Sequence, residues 1–212
     1  MRGIFITLEG PDGSGKSTIS RNIANYLSEE NIDFITTREP GGTKIGEDIR
    51  DIILDSNNKK MCPETEALLY AASRGQHVQE KILPSLNKGK VILCERYLFS
   101  SLAYQGVGRN LGIEEVKKIN DFAIKNVYPD LVLFLDVDPM EVLKRKTKRN
   151  GGDRLEREGN NFHLKVYRGY KKLIKMYPEN LKIINASKSI EETSKKSIEY
   201  VKKILEEGGI LS

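Results

Sequence analysis

The stretch Gly10-Pro11-Asp12-Gly13-Ser14-Gly15-Lys16-Ser17-Thr18 carries the residue types that bind a polyphosphate, at the spacing G-x-x-x-x-G-K-[ST]. Glycines let a backbone curl so that successive N–H groups point at phosphate oxygens. A helix N-terminus directly after them adds unpaired donors and partial positive charge. Lys16 can reach the β- and γ-phosphates as a mobile point charge, and the Ser17 hydroxyl can ligate Mg²⁺. The alternative is a glycine-rich turn that happens to hold a lysine. The flanks argue against it. Residues 3–9 are short, apolar and partly β-branched, as in a buried strand, and Ile19, Ile23 and Leu27 mark one apolar helical face. The stretch therefore predicts a nucleoside triphosphate site on residues 10–18.

Other residues have types suited to a second ligand. Glu95-Arg96-Tyr97 closes an apolar run at 90–94. A carboxylate there can hold the Mg²⁺ shell, and Arg96 can neutralise phosphate oxygens bidentately; an ion pair that merely closes the strand is the alternative. Tyr70 and Arg74 lie four apart on a helix-compatible stretch, so they share one face. A ring beside a guanidinium can stack on and hydrogen-bond a flat base, although a core tyrosine beside a surface arginine is the commoner outcome of that spacing. Ser101 and Gln105 repeat the spacing and can address base edges. Arg38-Glu39-Pro40-Gly41-Gly42-Thr43 forms an irregular loop at the carboxyl end of a strand, where open parallel sheets bind ligands. Arg50 lies off the face formed by Ile45, Ile49 and Ile53 and by itself reads as a surface charge. Basic residues from Lys144 to Arg157 flank Gly151-Gly152. That segment reads as a solvated loop, a nucleic-acid patch, or a hinged lid that closes over nucleotide.

The elements that must position these residues follow from patterning. Apolar runs at 3–9, 33–37, 90–94, 130–136 and 181–184 read as strands. Helices are expected from about Lys44, from Pro63, over 113–126, after Asp138-Pro139, through Phe162 to Leu173, and from the capping box Ser189-Ile190-Glu191-Glu192. The last helix should bury Ile190, Ile198, Val201 and Leu205. Five strands alternating with helices predict an α/β protein with one doubly wound, mostly parallel sheet covered on both faces, in a single domain over 1–212.

Composition narrows the classes. The 212 residues are 38% hydrophobic and 31% charged, with a net charge of +5 that is not gathered in one block. A polyanionic nucleotide explains that balance as well as a nucleic acid does. No run of apolar residues is long enough to span a membrane, and no secretory signal is expected. Cys62 and Cys94 are far apart, Cys94 reads as a core residue, and two histidines add no metal cluster, which together suit a reducing cytoplasm.

Taken in order, several segments resemble the thymidylate kinase family. They are Glu9 to Thr18, Thr37-Arg38-Glu39-Pro40-Gly41-Gly42-Thr43 with Ile45-Gly46-Glu47-Asp48-Ile49-Arg50, Leu68-Leu69-Tyr70-Ala71-Ala72-Ser73-Arg74, Glu95-Arg96-Tyr97, Ser100-Ser101-Leu102-Ala103-Tyr104-Gln105-Gly106, and Leu135-Asp136-Val137-Asp138-Pro139 with the basic segment after it. A GTPase reading would need N-K-x-D, and Asn87-Lys88-Gly89-Lys90 lacks the aspartate. The resemblance implies a three-layer P-loop kinase fold with a five-stranded parallel sheet and a short basic lid at about 144–160. It implies the reaction ATP + dTMP → ADP + dTDP with Mg²⁺, in a homodimer, with membrane and nucleic acid left out. It assigns Tyr70 to base stacking, Arg74 to thymine, Ser101 and Gln105 to the base edge, Arg50 and Arg96 to the acceptor phosphate, and Asp12 and Glu39 to the sugar and metal region. Lys16, Arg96 and Glu95 would be catalytic, and Ser17 and Glu95 would hold the metal. Two departures stand out. Glu95 replaces the usual aspartate, and Gly13-Ser14 carries no arginine, so the lid, with Arg149 and Arg154 as candidates, would supply that charge. A kinase for another nucleoside monophosphate and a nucleotide-dependent, nucleic-acid-binding ATPase remain the alternatives.

Overall fold

The computed structural model describes residues 2–146 and 153–211. Five strands, β1 (Phe5–Glu9), β2 (Phe34–Arg38), β3 (Val91–Glu95), β4 (Leu131–Asp136) and β5 (Leu181–Asn185), pair in the order β2-β3-β1-β4-β5. Every pair is parallel. The chain leaves central β1 for the edge, returns through β3, and then crosses to β4 on the other side. That reversal opens a crevice beyond the carboxyl ends of β1 and β3, where parallel sheets bind ligands. The Gly10 loop and Arg96 both emerge there.

The strands lack polar alternation because both faces are covered. Phe5, Ile92, Cys94, Val132 and Phe134 face one core, and Ile6, Leu8, Leu93, Leu133 and Leu135 face the other. The second core is covered by α1 (Lys16–Glu29), through Ile19, Ile23 and Leu27, by Val142 of α7 (Pro139–Lys146), and by α9 (Ile190–Glu207). On the opposite face, α3 (Pro63–His77) packs between α2 (Lys44–Leu54) and α6 (Ile113–Ile124). It runs on through a π-helical turn, Val78–Ile82, into α4 (Leu83–Asn87). Leu83 N–H reaches back five residues to Val78 O. Pro84 follows at once and has no N–H to give the ordinary i−4 ladder, which accounts for the widened turn. A second π segment, Leu102–Gly108, continues α5 (Leu98–Ser101) and packs on α8 (Asn160–Met176). Gly169 permits that approach, since a Cβ there would meet Val107 at 3.0 Å.

Two expectations of detail need correction. Ile190 is 62% exposed and does not join the α9 core face. Thr193, Ser194 and Ser197 are buried in its stead, each hydroxyl donating to a carbonyl of its own helix, and Asn22 Nδ2 of α1 donates to Ser194 Oγ at 2.7 Å. The stretch 100–106 is a short α-helix passing into π-helix rather than one regular helix. No helix among the described residues is long and apolar enough to cross a membrane.

Candidate active site

The loop after β1 is shaped by its glycines. Gly10 has φ 142°, and a Cβ on it would meet Leu135 O at 2.7 Å; Gly13 and Gly15 also take positive φ. Gly15 caps α1 with no side-chain acceptor, which leaves the first amides of α1 for a ligand. Thr18 N–H bonds back to Gly15 O at 3.0 Å and completes the first turn. Lys16 folds over the loop, its Nζ donating to Gly10 O at 3.1 Å, Pro11 O at 2.8 Å and Ser14 Oγ at 3.4 Å. Burial, reinforced by the nearby Arg96 charge, lowers its pKa to about 7. Ser17 Oγ donates to Glu95 Oε2 at 2.6 Å. Two hard oxygen donors thus converge where the phosphate loop meets β3, a donor set that suits Mg²⁺. The extra methylene of Glu95 does not keep it from Ser17.

Arg96 sits in left-handed backbone at φ 67°, a strained setting for a non-glycine residue. Its neighbours over-determine it. Arg96 N–H extends the β1 pairing to Leu8 O, and Tyr97 N–H donates to Glu9 Oε1 at 2.8 Å. The guanidinium donates to Asp12 Oδ1 at 2.5 Å, Ser100 Oγ at 3.0 Å, Gly10 O at 3.1 Å and Tyr170 OH at 3.3 Å. Tyr104 OH holds the other oxygen of Asp12 at 2.7 Å. Burial raises the pKa of Glu9 beneath them, while the hydrogen bond from Ser100 and the charge of Arg96 oppose that rise.

A cavity of about 240 Å³ opens beside these groups. Asp12, Ser17, Glu95 and Arg96 line it together with Tyr70, Leu54 and Gln105. Arg50 is also on the wall, its Nη1 donating to Pro40 O at 2.9 Å. Of the residues singled out from sequence, Asp12, Ser17, Glu39, Arg50, Tyr70, Glu95, Arg96 and Gln105 therefore meet around one space. Arg74 and Ser101 do not line it. Arg74 is 1% exposed, with Nε on Glu39 Oε2 at 2.7 Å, Nη1 on Ser101 Oγ at 2.9 Å and on Asn120 Oδ1, and Nη2 on Tyr97 O at 2.9 Å. Glu39 touches the cavity, but its carboxylate turns inward to Arg74 and His77. Arg154 points away from the phosphate loop: its Nε donates to Ile53 O, and its Nη2 lies 2.7 Å from Glu66 Oε2 as an ion pair rather than an aligned hydrogen bond. Arg149 lies outside the described residues.

Sequence reading missed Tyr104, Ser100, Glu66 and the wall given by Asp153, Leu155 and Glu156. A signal existed for Glu66: it precedes Tyr70 and Arg74 at the same four-residue interval. Asp153 and Glu156, set within the basic segment, carried none.

The Lys16 environment makes a pH prediction. In the free site its proton is half lost near pH 7, and a bound triphosphate restores the charged form toward the ordinary lysine value of 10.5. Triphosphate binding should therefore take up a proton between these limits. Affinity should fall with rising pH above 7 by up to about tenfold per unit. Calorimetry in two buffers of different ionisation heat should give an uptake approaching one proton, lost in Lys16→Met. No uptake in the parent protein would refute the linkage.

Residues 8–197 match the sequence model of the family described as thymidylate kinase. The thymidylate kinase of Finegoldia magna is 59% identical over 200 residues, covering 94% of this chain and 98% of that protein. The thymidylate kinase of Clostridium novyi is 52% identical over 193 residues, 90% of this chain and 94% of that one. The crystal structure of thymidylate kinase from Ehrlichia chaffeensis superposes with a TM-score of 0.78 at 32% identity, over 95% of this chain and all of that one.

Proposed function

The chain belongs to the thymidylate kinase family, its reaction is phosphoryl transfer from ATP to dTMP, and we propose that the cavity beside the phosphate loop is where the two nucleotides meet. The observation that carries this reading is the continuity of that cavity. An aromatic ring and an amide, Tyr70 and Gln105, line the same space as Arg96, Ser17 and Glu95.

The residues divide the work as follows. Residues 10–18 wrap the triphosphate, with Lys16 released from its carbonyl partners onto phosphate oxygens. Thymine stacks on Tyr70 and meets Gln105, while Arg74 and Ser101 brace that wall from beneath. Arg96 and Arg50 take the acceptor phosphate. The nucleophile is an oxygen of dTMP that is largely ionised, since a phosphate monoester has a second pKa of about 6. No strong general base is required, and catalysis consists of positioning two polyanions and spreading their charge. Asp12 and Tyr104 hold Arg96 in place for that purpose. Ser17 and Glu95 would hold Mg²⁺, which supplies further charge neutralisation at the phosphates. Arg154 is engaged with Glu66 rather than with the phosphate loop.

A panel of nucleoside monophosphates with ATP tests this arrangement. Strong preference for dTMP is expected, and comparable turnover of dCMP or dGMP would overturn it. We also read the protein as a homodimer. Ile45 and Ile52 of α2, Leu68 of α3 (56% exposed) and Phe122 of α6 (86% exposed) place apolar surface on three adjacent helices, which a second copy would cover. Sedimentation showing only monomer at micromolar concentration would refute that assembly.

A further inference from the structure

We propose that Glu66 sets which base the site accepts, by fixing the amide of Gln105 so that its carbonyl oxygen, and not its NH₂, faces the ring nitrogen N3 of the acceptor pyrimidine. This rests on the reading above that a nucleoside monophosphate occupies the cavity.

Glu66 lies in the first turn of α3, where a carboxylate commonly serves only the helix dipole. Its position is not that of a surface acid, because its side chain is 1% exposed. Its Oε1 accepts from Gln105 Nε2 at 2.9 Å and from Arg109 Nε at 3.1 Å. Its Oε2 accepts from Arg109 Nη2 at 3.0 Å and faces Arg154 Nη2 at 2.7 Å. Two guanidiniums thus hold the carboxylate from one side and present its remaining edge to Gln105. Burial acts to raise its pKa, but the hydrogen bonds of Arg109 and Gln105 and both arginine charges bring it below the ordinary value, so it is ionised at neutral pH.

An ionised carboxylate accepts hydrogen bonds and donates none. Gln105 can meet it only with its NH₂. Reversing the amide would set two acceptors against each other at 2.9 Å. The Gln105 carbonyl oxygen is therefore directed away from Glu66. It is a buried oxygen with no hydrogen-bond partner among the described residues, on a residue that lines the cavity. A buried acceptor left unpaired is costly until a donor arrives. Thymine and uracil carry N–H at N3, whereas cytosine carries a bare acceptor nitrogen. The pairing admits the first two and rejects the third, and the rejection comes from Glu66 acting through Gln105. Glu66 is in this sense a positioning residue, not a catalytic one.

The test compares kcat and KM for dTMP and dCMP in the parent protein, in Glu66→Gln, and in the double variant Glu66→Gln/Gln105→Glu, with thermal unfolding as the check on folding. An amide at 66 both donates and accepts, so it lets Gln105 reverse. Glu66→Gln should lower the dTMP-to-dCMP ratio of kcat/KM by about tenfold or more, mainly through KM. The double variant restores an acceptor-only group at 105 facing a donor at 66 and keeps one carboxylate and one amide in the pair. Its ratio should return toward that of the parent, which a merely structural role for Glu66 would not produce. A folded Glu66→Gln that keeps the parental ratio, or a folded double variant that fails to regain it, overturns the assignment while leaving the kinase reading intact. A parent protein with no preference for dTMP over dCMP overturns both.

Discussion

Replacing Arg96 with alanine is expected to lower kcat/KM for dTMP by about three orders of magnitude or more, the scale seen when an arginine on a transferring phosphoryl group is lost. Affinity for ATP should change far less. Lys16 and the glycines keep their own contacts, and the loop bonds lost are those from Arg96 to Gly10 O and to Asp12 Oδ1. The size of the effect follows from where the guanidinium sits. Among the described residues, Arg96 is a cation that reaches both the loop, through Gly10 and Asp12, and the cavity. Without it, the Asp12 carboxylate beside the phosphates would lose the guanidinium that neutralises it. Backbone strain is a possible confounder, because Arg96 has φ 67° and alanine tolerates that poorly. Arg96→Gly removes the strain together with the guanidinium. If the guanidinium carries the effect, glycine and alanine should be equally defective, and Arg96→Lys should recover only a little because an ammonium cannot copy the planar fork. Steady-state kinetics with calorimetric ATP binding decides it. Turnover near that of the parent in either variant would remove Arg96 from the mechanism.

The same residues show why some of the site was legible from sequence and some was not. The phosphate loop, its strand and its helix are neighbours in the chain, so spacing alone reveals them. Ser17 and Glu95 stood out because each ends or begins an element whose pattern is plain, and the parallel sheet order brings those ends together. Arg74 could not be placed this way. On a helix wheel it is one charge among polar residues, and its burial is decided by Glu39, Tyr97, Ser101 and Asn120, which come from four other places in the chain. Gln105 was visible as a possible base reader, but the direction of its amide depends on Glu66, 39 residues away. The α9 face misled for a different reason. Serine and threonine on a helix can satisfy their hydroxyls on their own backbone and so be buried cheaply, while Ile190 in the first turn stays exposed.

Arg74→Met should be the costliest single substitution for stability, and the reason separates it from a base-binding role. Five contacts saturate the guanidinium's surroundings, including the face of the Tyr97 ring at 5.2 Å. Methionine fills most of the volume but leaves the Glu39 carboxylate buried beside His77 with its main counter-charge gone. Breaking a buried pair from one side costs about 3–5 kcal/mol. In a chain of this size that lowers Tm by roughly 10 °C. The loss should appear in the protein without any nucleotide. Were Arg74 engaged only with thymine, the free protein would melt as the parent does and only the KM for dTMP would rise. Glu39→Gln added to Arg74→Met removes the stranded charge and should recover part of the lost stability, because what the single variant suffers is mainly an uncompensated carboxylate. Recovery in the double variant, with dTMP turnover still reduced, would mean that Arg74 serves the site by holding Glu39, Tyr97 and Ser101 where the cavity wall needs them. Additive losses in the two substitutions would instead mean that the pair contributes nothing as a pair, and the ion-pair account of this wall would fall.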